Sequence, residues 1–243
     1  MKYINDISVA RAYLEAKKYL YESGYFDEIE WQYRVNLSRI NEKSFLEEYA
    51  WVVLNTGMSE KIVRKIFPYI CASFFYWSSV EKIVNHCDLC KDNALKYFNN
   101  NKKIDAIIET SKLIYDKNFN VFWNEIINND IDYLKQLPYI GPITSHHLAK
   151  NIGFSVSKPD RHLVRLAGKL CYSSVEDMCD VINFIIDEPI NVIDIVLWRY
   201  STLKNDFYDI CLHYNDSEPI PFLRKTMICS QHDKKHLENN HQP

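Results

Sequence analysis

Asp160 stands immediately before an apolar-periodic run, Leu163, Leu166, Ala167 and Leu170, and is followed by His162 and Arg165. An aspartate in that position is a natural helix N-cap. Its side chain accepts unpaired N–H groups of the first turn, and the helix dipole favours its ionised form. A carboxylate so held can steady positive charge that develops beside it, or orient and deprotonate a water molecule. An aspartate cap alone is common and carries no activity, so its neighbourhood decides what it can do.

The segment 132–150 reads Asp-Tyr-Leu-Lys-Gln-Leu-Pro-Tyr-Ile-Gly-Pro-Ile-Thr-Ser-His-His-Leu-Ala-Lys. It predicts a short helix ending at Leu137, a tight turn from Pro138, and a second helix beginning near Pro142, where a proline suits the first turn. Gly141 has no Cβ and lets a backbone approach closely. A turn leading into a helix start presents N–H groups that attract phosphate without side-chain charge. Such a device fixes position on DNA without reading sequence. Tyr139, Ile140, Gly141, Pro142 and Thr144 are the residues that would form it. An ordinary helix-turn-helix corner shares the same local pattern.

Taken together, Leu-Pro-x-Ile-Gly-x-x-Thr over 137–144 and Asp-x-His-x-x-Arg over 160–165 resemble the helix-hairpin-helix DNA glycosylases, the superfamily of endonuclease III, MutY, AlkA and the 8-oxoguanine glycosylases. The resemblance spans about 44–170 and is strongest over 132–170. It implies that Asp160 is the catalytic aspartate and that His162 and Arg165 brace the helix and loop behind it. Gly141 and its neighbours match the phosphate-binding hairpin, although Tyr139 replaces the first glycine of that family's Gly-x-Gly turn. A second match, 48–60, puts Asn55, Thr56, Gly57 and Met58 in a loop that enters the base stack, with Ser59 capping the next helix. A plain turn between helices is the other reading of that segment.

What the resemblance implies chemically is base extrusion from the duplex, then hydrolysis of the N-glycosidic bond through an oxocarbenium-like state steadied by Asp160. Relatives that also cleave the strand carry a lysine two places after the second glycine. Ile143 stands there and cannot form a Schiff base, so a monofunctional enzyme is expected. Lys150 and Lys158 are read as solvated or phosphate-facing. The cysteines at 171, 179, 211 and 229 are too scattered for an iron–sulfur cluster, and His86-Cys87-x-x-Cys90 lacks a second pair for zinc. No cofactor or metal is expected beyond a monovalent cation at the hairpin.

The elements that must position these residues are helices. Five glycines in 243 residues are few for a hairpin-rich β protein. Apolar residues recur at helical spacing: Leu46, Tyr49, Ala50, Val53; Ile104, Ile107, Ile108; and Val175, Met178, Cys179, Ile182. Breaks fall at Ser23-Gly24, 55–57, 99–101, Gly141-Pro142, 153–159 and Glu188-Pro189, giving about ten helices of ordinary length. His146 and His147 are expected to be exposed on the second hairpin helix. Trp51, Trp77, Trp123 and Trp198 are expected in the core.

The expectation is an all-α, two-domain architecture of the helix-hairpin-helix glycosylase type. A central domain covers 44–154, and a second combines 1–43 with 155–230. Residues 231–243 form a frayed tail, and an interdomain cleft has Asp160 at its edge. A net charge of −3 excludes broad coating of DNA but not a local basic face. No apolar run reaches the roughly 18–20 residues that span a bilayer. The expected setting is cytoplasmic, nucleoid-associated in a prokaryote, with seven reduced cysteines and a monomer acting on double-stranded DNA that carries a modified base. Repair of damaged or mispaired bases is the leading role. A glycosylase aimed at modified bases of foreign DNA, such as phage DNA, and a non-catalytic hairpin protein that binds DNA are the alternatives.

Overall fold

The computed structural model describes residues 4–215, which form thirteen α-helices and no strand. They are α1 Asp6–Glu22, α2 Phe26–Arg34, α3 Glu42–Asn55, α4 Glu60–Ser73, α5 Val80–Asn85, α6 Cys87–Leu95 and α7 Asn101–Lys117. There follow α8 Phe119–Leu134, α9 Pro142–Asn151, α10 Arg161–Lys169, α11 Val175–Ile186, α12 Ile190–Leu203 and α13 Phe207–Asn215. The remainder of the chain, including Cys229 and the expected tail at 231–243, lies outside the described residues. No described helix is long and apolar enough to cross a membrane.

Local chemistry sets many of the boundaries. Asn5, Asn41, Ser79, Asn100 and Ser174 each accept an N–H of the first turn of α1, α3, α5, α7 and α11. The expected breaks fall between helices or on their terminal residues, but the chain also breaks where no glycine or proline announces it. Phe75, Tyr76 and Trp77 follow α4 with positive φ, and Asn118 separates α7 from α8 at φ 66°. Asp130, at φ 45°, kinks α8 just ahead of the hairpin. With ψ of 139° and −130°, both residues lie outside the left-handed helical well. The aromatic run at 75–77 is held at positive φ by packing, with Trp77 buried and stacked on Phe74.

Buried apolar side chains form two clusters. One draws on 45–152, with Phe45, Tyr49, Leu54, Ile107 and Phe122 at its centre. The other joins Val9, Tyr13, Ala16, Leu20 and Ile29 to Leu163, Met178, Ile182 and Leu197. The N-terminal helix α1 therefore packs on α11, α12 and α13, across most of the chain. Each fully buried aliphatic or aromatic side chain contributes roughly 1.5–3 kcal/mol to this closure. The link at 152–160 crosses from one cluster to the other and ends at Asp160. Gly153 starts it at φ +105°, and a Cβ there would meet the Leu37 backbone nitrogen at 2.8 Å, so glycine is required on both counts.

Candidate active site

Asp160 caps α10 as its type and place suggest. Oδ1 accepts the N–H groups of His162 at 2.9 Å and Leu163 at 3.0 Å. No described residue hydrogen-bonds Oδ2. The side chain is half-buried and lines a cleft of about 680 Å³, a size typical of small-molecule sites. One oxygen is thus fixed by the helix start while the other carries no such bond.

The loop leading to Asp160 is fastened from the second cluster. Asp194, on α12 and almost fully buried, accepts the Lys158 N–H through Oδ1 at 2.6 Å. Its Oδ2 forms an ion pair with Lys150 of α9, which is buried as well. One carboxylate therefore ties the hairpin helix to the 152–160 loop. Lys150 is not the solvated lysine expected from sequence. Lys158 also turns into the cleft, where its Nζ lies 3.4 Å from Nδ1 of His147. Burial, then the Lys150 charge, hold the Lys158 amine below the usual lysine range. His147, expected to be exposed, lines the cleft too. Burial first, then the Lys158 and Lys150 charges, push its pKa well down, so the imidazole is neutral.

Three indoles line the same cleft: Trp31 of α2, Trp51 of α3 and Trp198 of α12. Trp77 is buried as expected, and Trp123 packs against the first cluster. Trp51 and Trp198 meet the expectation of core residues only in part: each packs against an apolar cluster and also lines the cleft, with an arginine over its ring. Arg64 lies 5.4 Å from the Trp51 ring and Arg199 4.6 Å from the Trp198 ring. Arg199 grips Glu28 with two hydrogen bonds, 2.8 and 2.7 Å, and Arg64 grips Glu60 at 2.6 and 2.8 Å. This network links α2, α4 and α12 along the cleft. Glu48 of α3 also lines it, accepting from Asn151 Nδ2 at 2.9 Å. Burial raises the Glu48 pKa to about 7, against the lowering effect of that hydrogen bond.

The hairpin has the expected outline with three corrections. Helix α8 ends at Leu134, and 135–140 form a turn closed by Leu137 N–H to Leu134 and Ile140 N–H to Leu137. Pro138, with no N–H to donate, sits inside that turn. Ile140 is buried, so only its backbone is available to a partner. The Thr144 hydroxyl accepts the Gly141 N–H at 2.7 Å, closing the helix start internally and removing one donor from any phosphate. Pro142 is the first residue of α9, and Tyr139 and Ile143 are exposed beside it. Tyr139 adopts φ 63°, so it takes the left-handed conformation that a glycine would take more cheaply. Tyr49 braces the turn by donating to the Pro138 carbonyl at 2.5 Å. The Leu137 carbonyl accepts from Ile140. A hairpin cation would therefore share oxygens that already accept internal hydrogen bonds.

The 55–58 loop lies next to this turn. Buried Lys103 donates to the carbonyls of Leu54 at 2.8 Å and Thr56 at 2.6 Å, and its Nζ lies 5.6 Å from the Tyr139 ring centroid. Asn55 and Met58 line the cleft. Thr56 and Gly57 do not, and the Thr56 hydroxyl bonds back to Val52 at 2.9 Å. Gly57 is exposed at φ 69° with nothing near its missing Cβ. Ser59 stands at the start of α4 but makes no side-chain cap bond, contrary to expectation.

One cleft thus holds Asp160, His162, Asn55 and Met58, while the hairpin turn lies outside its lining. Arg165 is exposed and pairs with no described residue, so it does not brace the Asp160 loop. The His162 ring meets Arg161, at 3.5 Å, and lines the cleft. Asp194, Lys150 and Gly153 do the bracing instead. Sequence reading missed Asp194, Glu48 and Trp31, whose partners lie far along the chain. Only their chemistry, acids and an aromatic amid apolar helical stripes, hinted at a shared site. Six free cysteines are described, and among the described residues no three or more His, Cys, Asp or Glu side chains cluster as metal ligands. Comparison with family models, with curated proteins and with solved structures finds no match.

Proposed function

We propose that this chain is a DNA N-glycosylase that draws a modified or mispaired base into the cleft and hydrolyses its glycosidic bond. The observation that carries this reading is the division of labour at Asp160. Two helix N–H groups hold Oδ1, no described residue bonds Oδ2, and the carboxylate sits beside indole-lined space. Bond breaking leaves positive charge on the sugar, and a fixed carboxylate stabilises it more than a solvated one, because it needs no reorganisation. Oδ2 can then orient the attacking water. Trp31, Trp51 and Trp198 line that space, and indoles are the side chains on which an extruded base stacks.

Two further arrangements support a duplex as the substrate. The 55–58 loop and the hairpin turn are neighbours through Lys103, so a probe entering the base stack and a backbone grip would share one face. On this reading, 44–154 carries the grip and the rest of the described chain closes the cleft as a second domain. The start of α9 retains unpaired N–H groups at Ile143 and Thr144 for a phosphate, since a helix's first N–H groups lack intrahelical partners. The test is a panel of duplexes, each with one altered base, scored for abasic sites by alkali cleavage. Release of at least one base supports the proposal. Tight duplex binding with no release across the panel leaves a binding protein.

A further inference from the structure

Lys150 and Lys158 reach the same cleft from opposite sides of the 152–157 link, and their surroundings differ. Lys150 is neutralised by Asp194. Lys158 has no carboxylate within ion-pair distance among the described residues, and the one side-chain partner of its amine is the neutral His147. The amine is half-buried, and burial and then the Lys150 charge hold it below the usual lysine range, against the opposing pull of Asp160, Asp194 and Glu60. A lysine held below its usual range gives up its proton more readily, and the free amine is the form that attacks carbonyl carbon. The Asp194 carboxylate pins the Lys158 N–H, so the root of this side chain is fixed. Asp160 lies two residues further on, at the same cleft.

We propose that Lys158 is the nucleophile of a lyase step on abasic DNA, supplying from the 152–160 loop the amine that the hairpin lacks at Ile143. The inference rests on the base-release reading, because an abasic sugar is that reaction's product. Once Lys158 has released its proton to solvent, the free amine adds to the C1′ aldehyde of the ring-opened sugar, and His147 relays the proton from nitrogen to the new C1′ oxygen. The proton that Lys158 released returns from solvent, and the carbinolamine loses water to give a protonated imine. Asp160 removes a C2′ proton, the new C–C double bond forms, and the C3′–O bond breaks, with the 3′-phosphate leaving on the electron pair. Water then hydrolyses the imine and returns the free lysine. No external oxidant or reductant enters.

The experiment uses the full chain and a duplex with a preformed abasic site, so it does not depend on base release by this protein. Borohydride reduces any imine to a stable secondary amine, which is detected as a cross-linked band and located by peptide mass spectrometry. The expected result is a cross-link at Lys158 that disappears in Lys158→Met, with that variant still melting cooperatively and binding the duplex. Absence of a cross-link in the unmodified protein overturns the inference, as does a cross-link at another lysine or one that persists in Lys158→Met. Base release from the altered-base panel is scored separately. Release without trapping counts against Lys158 alone, whereas trapping without release counts against the glycosylase reading.

Discussion

The hairpin turn at 137–144 and the loop at 152–160 flank the same helix, α9, but are held in place differently. In the turn, the restraints are mostly local: Thr144 caps Gly141, Ile140 bonds Leu137, and Tyr49 is the long-range brace. In the loop, short backbone bonds at 149–156 and 158–160 are joined by restraints from far away in sequence. Asp194 reaches Lys158 and Lys150 from α12, and Gly153 is pressed against residues 36 and 37. The turn can therefore form from its own residues, whereas the loop acquires its shape only after both apolar clusters are assembled. A grip on a repeating backbone tolerates a little play. A carboxylate that must sit beside one sugar does not.

The sharpest way to break this contrast is Asp194→Ala. It strips the buried Lys150 of its counter-charge and releases the Lys158 N–H, and the expected loss is about 3–5 kcal/mol. A denaturant titration reads it, and a loss below 1 kcal/mol would make the loop as self-sufficient as the turn. Next comes Glu48→Gln. The native carboxyl holds its proton up to a pH of about 7, against 4.5 for the ordinary group. The native state therefore binds more protons than the unfolded chain between those values, and stability falls as pH rises through that window. Glutamine removes this dependence. Its gain over glutamate is expected to be on the order of 1–3 kcal/mol larger at pH 8 than at pH 4, and melting curves at the two pH values check the difference.

On the turn side the effects shrink. Thr144→Val deletes the hydroxyl that accepts the Gly141 N–H, and about 1 kcal/mol is expected, as for the loss of a helix cap. Tyr139→Gly is the mildest change. It relieves a left-handed tyrosine, worth roughly 1–2 kcal/mol, but adds backbone freedom to the unfolded chain that costs roughly 0.5–1 kcal/mol. The net expectation is a shift under about 1 kcal/mol toward stability. Should Tyr139→Gly destabilise by more, the ring's contact with Lys103 would be a principal brace of the turn.

The same contrast explains what could be read from the sequence. The Asp160 cap, the turn at Gly141-Pro142 and the break at Gly153 are written in adjacent residues, since capping and turn chemistry act over three or four positions. The all-helical character follows from apolar periodicity. Asp194, Glu48 and the Glu28–Arg199 pair were not legible, because their partners are 36, 103 and 171 residues away. Trp51 and Trp198 follow a core-like periodicity, and only the assembled fold shows that each also lines the cleft. His162 and Arg165 stand in a motif-like spacing, but the bracing role falls to Asp194, which no local pattern marks.

The most direct test of the central claim compares base release by the unmodified protein and by Asp160→Asn in single turnovers, with all DNA bound. Asparagine keeps an oxygen that can cap α10 and removes only the charge, so fold and duplex affinity should persist. The rate should fall by about 10²–10⁴-fold, the range lost with a positioned acid–base group. An undiminished rate in Asp160→Asn, measured on a base that the unmodified protein releases, would contradict the account.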